Sequence, residues 1–176
     1  EHFKGWRAHG GHAEVVIGPW LHGRRSSTHA GDVDFGAASV LDGQIAPDYE
    51  TLRIDWFRRW LLDGAGHAPR PQARWFAMGG GPGTRDSEGR RAHGGQWRAD
   101  AAWPPAVSAE TIFHLSAEGA IMPNPASSGE MLLRTDPANP VPTIGGAVTS
   151  GEPVMEGGAR DQVTSPAIFG ARAPYL

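Results

Sequence analysis

Glycine and proline interrupt this chain so often that long regular elements have few places to form. Among its 176 residues are 25 Gly and 15 Pro, nearly twice the roughly 12 % these two types reach together in an average chain. Many turns, short strands and little long helix are the expected result. The clearest exception is "PDYETLRIDWFRRWLLDG", residues 47–64. Pro47 suits a first helical turn, and Asp48 and Glu50 favour the positive N-terminal end. Tyr49, Leu52, Trp56 and Trp60 recur at helical spacing, with Phe57 and Leu61 widening the stripe. Asp55 is placed to pair with Arg58 or Arg59, and Gly64 is a natural stop.

Two strand candidates flank that helix. Residues 13–18 form a short apolar, β-branched run ended by Gly18-Pro19, and "ARWFAMG" (73–79) reads as the second. Strand, helix and strand in this order allow a parallel crossover, so the first 80 residues read as α/β. Residues 79–106 are rich in Gly, Arg and Trp without helical period, which predicts an ordered loop anchored by Trp97 and Trp103. Those two rings are expected to pack between two domains. Beyond residue 107, "TIFHLSA" (111–117), "EMLLRTD" (130–136) and "GGAVTSG" (145–151) alternate with Pro-rich turns, as in a β-sandwich. The predicted domains are therefore 1–106, α/β, and 107–176, all-β. Three or four strands fall short of the seven or so that a sandwich needs, so the second is expected to be incomplete.

Bulk properties exclude several classes. A net charge of −3 supplies no basic field for nucleic acid. The set Arg85, Arg90, Arg91 and Arg98 beside Trp97 reads better as a solvated loop with local ion pairs than as a single-strand binding surface. With no Cys, disulfides, thiolate metal sites and cysteine nucleophiles are ruled out. No run reaches the ~20 apolar residues of a membrane span. No signal peptide is visible, and the first residue is Glu1, not Met, so the chain reads as a processed product or a fragment. The cytoplasm is compatible and slightly favoured, with the compartment otherwise open.

His22, in "GPWLHG", is the residue with the most chemistry to offer. A turn histidine bonded to backbone is the structural reading. A metal ligand, with His9 and His12, is a weak one, because zinc needs three or four convergent ligands. A catalytic base is the third, since active sites in open α/β sheets lie outside the carboxyl ends of strands. No G-x-S-x-G elbow occurs, and Ser26 and Ser27 read as polar loop. Asp32 and Asp34 read as loop or capping residues. "MGGGPGTR" (78–85) follows a strand but lacks both a following helix and Gly-Lys-Ser/Thr, so it is no phosphate loop.

Taken in order, "VVIGPWLHG", "DFG" (34–36), "WFRRWLLDG" (56–64), "FAMGGG…HGGQWRADAAWPP", "LRTDPANPVPTIGG" and "GGARDQ" resemble the CocE/NonD family of serine hydrolases, which includes cocaine-esterase-like, X-Pro dipeptidyl-peptidase-like and α-amino-acid ester hydrolase-like enzymes and glutaryl acylases. The resemblance runs from about Val15 to Gln162. It implies the C-terminal part of an α/β-hydrolase core followed by the beginning of a jelly-roll β-sandwich. It also implies that His22 is the histidine of a Ser-Asp-His triad whose serine and aspartate lie upstream of this chain, with Trp20 beside the substrate. One departure is Arg58, where the family's helix commonly carries Asp. The function so implied is cleavage of ester or amide bonds in a small-molecule or peptide substrate, without metal or organic cofactor, and this chain alone is expected to be inactive. A homo-oligomer is compatible with that reading. From another class, a non-catalytic β-sandwich module binding carbohydrate or protein would use the Trp-rich loop and the β-rich second half.

Overall fold

A computed structural model describes residues 1–62, 71–117, 119–125, 129–130, 132, 134–138, 140, 145–147 and 157–161. Along the chain run α1 (His2–Ala8), β1 (Val15–Ile17), β2 (His29–Ala30), β3 (Val33–Asp34), a 3-10 turn (Ala37–Ser39), α2 (Tyr49–Leu61), β4 (Ala73–Met78), β5 (Arg91–Ala92), β6 (Gly95–Asp100), β7 (His114–Leu115) and β8 (Ile121–Met122). The architecture is β-rich with few helices. Its sheets are small, and among the described residues none closes into a barrel.

The chain groups into two units: residues 1–105 with 143–161, and residues 106–142 with 162–176. In the first unit, β1 and β4 pair in parallel, Val15 opposite Ala73 and Ile17 opposite Trp75, with α2 between them in sequence. This is the crossover expected from the strand–helix–strand order. Antiparallel β6 then adds to the far side of β4, Phe76 opposite Trp97. A second small sheet joins β2 antiparallel to β3 and β3 parallel to β5. The second unit has one short antiparallel pair, β7 with β8, among its described residues.

Helix α2 starts where its cap chemistry directs. The Asp48 carboxylate accepts the Thr51 backbone N–H at 2.7 Å, so one orphan donor of the first turn is satisfied. Glu50 in the first turn and Arg58 and Arg59 in the last complement the helix dipole. Arg59 pairs with Glu14 at 2.9 Å and not with Asp55, because Glu14 precedes β1, on which the helix folds back. The expected stop at Gly64 lies outside the described residues.

The core is aromatic and compact. Phe76 and Phe35 meet edge to face at 6.4 Å, and Trp97 packs on Phe76 at 5.5 Å. Ala30, Phe35 and Phe76 are buried, with Leu21, Val33 and Trp97 packed against them.

Several expectations change. Residues 79–106 are not one loop, for they contain β5 and β6. "GQWRAD" has little strand propensity of its own, and its pairing along the whole of β4 overrides that. Trp97 and Trp103, expected to pack between domains, have their described ring contacts within the first unit: Trp97 sits on Phe76 and Trp20, and Trp103 on Trp75. The strand expected over 111–117 shrinks to His114–Leu115, and the described residues of 130–136 form none. Of 145–151, only residues 145–147 are described, and Gly146 bridges to Gly158. Residues 157–161, assigned from sequence to the all-β half, group with the first unit. Helix α1 had no counterpart in the sequence reading, because its seven residues hold a Gly and no acidic first turn.

Candidate functional site

The stretch after β1 is shaped by one close approach. A Cβ on Gly18 would stand 2.4 Å from three carbons of the Trp20 indole, so only glycine lets that ring fold back over the chain. The Trp20 ring packs on Trp97 at 5.7 Å, and its Nε1–H donates to the Ser39 carbonyl at 2.8 Å. Trp97 Nε1–H donates to the neighbouring Ala38 carbonyl, also at 2.8 Å. Two indoles thus satisfy two consecutive carbonyls at the end of the Ala37–Ser39 turn, where such groups otherwise lack partners. Ser39 itself is fully buried, with its hydroxyl donating to Gly36 O at 2.7 Å.

This staple leads directly to His22. The residue sits in a turn five positions beyond Ile17, and its side chain is exposed. The Arg24 N–H closes the turn on the Leu21 carbonyl at 3.1 Å. Among the described residues the imidazole has no hydrogen-bond or ion-pair partner. The turn therefore presents a solvent-facing ring on a backbone held, just before it, by Trp20 and by Leu21 packed against the core.

The serines and acids that follow His22 are engaged elsewhere. The Ser26 hydroxyl donates to the Asp42 carboxylate. Ser27 Oγ donates to His29 O at 3.2 Å and lies 3.4 Å from His29 Nδ1. Asp34 accepts the Gly36 N–H at 2.9 Å, the capping role its loop position suggested. Asp32 accepts Arg160 Nη1 at 2.8 Å and the Asp161 N–H at 3.0 Å. None of these groups is brought to the His22 ring as nucleophile or orienting acid.

Among the described residues no three His, Cys, Asp or Glu side chains converge on a common point. His9 Nδ1 lies 2.9 Å from Gly5 O in α1, whereas the His12 ring lies 4.5 Å from Trp60. No described helix is long and apolar enough to cross a membrane.

What the sequence reading missed is the long-range pairing around Asp32. Gly31, at φ +67°, lies against Ala159, and Asp32 N donates to Ala159 O at 2.7 Å. The Asp32–Arg160 pair spans 128 positions, beyond the reach of local periodicity. The "GGARDQ" run at 157–162 was the sole signal for it in the sequence.

Comparison with protein-family models, with curated proteins and with solved structures found nothing that matches this chain.

Proposed function

We propose that this chain is the histidine-bearing part of a serine acyl hydrolase, comprising the end of an α/β-hydrolase core and the start of a jelly-roll. The observation that carries the reading is the placement of His22. It projects from an exposed turn just past the carboxyl end of β1, a strand paired in parallel with β4 across helix α2. Active sites of open α/β sheets lie at such strand ends. An imidazole there can take the proton of an attacking serine hydroxyl and return it to the leaving alkoxide or amine. The acyl-serine is then hydrolysed by a water that the same imidazole deprotonates. As the resemblance implies, the nucleophile and the aspartate orienting His22 lie upstream of this chain; the nearby Ser26, Ser27, Asp34 and Asp32 are engaged with Asp42, His29 O, the Gly36 N–H and Arg160. Trp20 serves by holding the turn in place.

The alternative, a non-catalytic β-sandwich module binding carbohydrate or protein, would use a half-buried Trp97 that packs on Trp20 and Phe76 and a half-buried Trp103 that packs on Trp75.

The test is p-nitrophenyl acetate turnover by the protein as its gene encodes it, with His22→Ala as the variant. Loss of kcat/KM on the order of 10³-fold or more is expected, as for triad histidines. Turnover unchanged in His22→Ala would remove His22 from the mechanism. The 176-residue chain by itself is expected to give no turnover that depends on His22.

A further inference from the structure

Between helix α2 and strand β1 lies a cleft of about 330 Å³. Val16 of β1 and Leu52, Trp56 and Phe57 of α2 give it an apolar, partly aromatic wall. The three helix residues and Arg53 recur one turn apart, so they share one side of α2. Phe57 remains 55 % exposed there, a large ring half in water. Apolar walls of this size with a few charged groups are the usual make-up of a small-molecule site.

The charged groups decide what kind of molecule fits. They are Glu14, Arg53 and Arg74. Glu14 is neutralised by Arg59 at 2.9 Å, so the one acid of the cleft is already paired. Arg74 is engaged elsewhere, its Nη1 donating to Ile45 O at 3.2 Å. Arg53 has neither a hydrogen bond nor an ion pair among the described residues, and its guanidinium carbon stands 5.6 Å from the centre of the Tyr49 ring. It brings a positive charge to the apolar wall with no acid against it.

We infer that this cleft binds a small molecule with an apolar, ring-bearing body and a carboxylate head. Leu52, Trp56 and Phe57 take the body, and Arg53 takes the head. Aromatic walls favour a ring on the ligand, in offset or edge contacts. A planar guanidinium matches a carboxylate with two parallel hydrogen bonds. No lining residue belongs to the His22 turn, and the inference stands apart from the hydrolase reading.

Heteronuclear NMR titration of the isotope-labelled chain with hydrocinnamate, and separately with its uncharged amide, tests it. The signals read are the Trp56 indole N–H and the Leu52 and Phe57 backbone amides. Both ligands should shift them saturably, with the carboxylate bound about tenfold tighter than the amide. Arg53→Gln should abolish that preference and leave the affinity for the amide as it was. Phe57→Ala should weaken both ligands several-fold. Arg53 and Phe57 are exposed, and unchanged signals away from the cleft show that the variants fold. No saturable shift of these signals below ~10 mM would overturn the inference. So would equal or reversed affinity of the two ligands in the parent, a carboxylate preference that survives Arg53→Gln, or binding indifferent to Phe57→Ala.

Discussion

Replacing Gly18 by Ala probes the staple that holds the histidine turn. The added Cβ would fall 2.4 Å from the Trp20 ring, so the indole must leave its seat. Two interactions go with it: the Nε1–H bond to Ser39 O, worth about 1 kcal/mol, and the ring contact with Trp97, worth about 0.5–1.5 kcal/mol. A loss of about 2 kcal/mol corresponds to roughly a 30-fold larger population of the open loop. Arg24 and Arg25 lie in that loop, so trypsin reports its opening directly. Cleavage after these residues, followed by mass spectrometry, should speed up about 30-fold in Gly18→Ala when reclosing outpaces cutting. Trp20→Ala should accelerate cleavage comparably, and adding Gly18→Ala to it should change nothing further, because the clash has no partner left. Cleavage of Gly18→Ala within twofold of the parent, or strictly additive effects in the double variant, would refute this account.

Other outcomes follow from the same structure. Glu14→Gln breaks the pair with Arg59, whose side chains are only 18 % and 12 % exposed, and should cost about 1.5–3 kcal/mol in urea unfolding. The Thr51 backbone N–H, and then its hydroxyl, hold the Asp48 carboxyl below its ordinary value. A lowered folded pKa stabilises α2 above about pH 4 and stops doing so as pH falls through it. Helical circular dichroism should therefore drop on acidification, with that component absent in Asp48→Asn, which caps without titrating. Gly31→Ala puts a Cβ 2.5 Å from Ala159 O, so residues 157–161 should detach and the Asp32 amide should lose its hydrogen-exchange protection. Ile54, Phe57 and Leu61 are exposed along α2, so the chain should self-associate in sedimentation and do so less in Phe57→Glu; a sharply melting monomer would contradict this.

The elements legible in the sequence were those whose signals are local. The β-branched run ending at Gly18-Pro19, the cap and stripe of α2 and the apolar run of β4 each declare themselves within a few residues. The strands β5 and β6 were hidden, since their hydrogen bonds depend on β3 and β4 and not on their own composition. Trp97 was recognised as an anchor, but its seat on Phe76 and Ala38 O required the sheet to be built first. His22 stood out because a strand ends just before it. The cleft beside α2 did not, because Val16 joins Leu52, Trp56 and Phe57 only once the helix has folded back on β1.

The claim that His22 serves a serine nucleophile is tested most directly by mapping a fluorophosphonate adduct in the protein as its gene encodes it. The account predicts one modified serine, located outside the 176 residues, with labelling strongly slowed in His22→Ala. An adduct on Ser26, Ser27 or any other serine of this chain, or labelling at the same rate without His22, would contradict it.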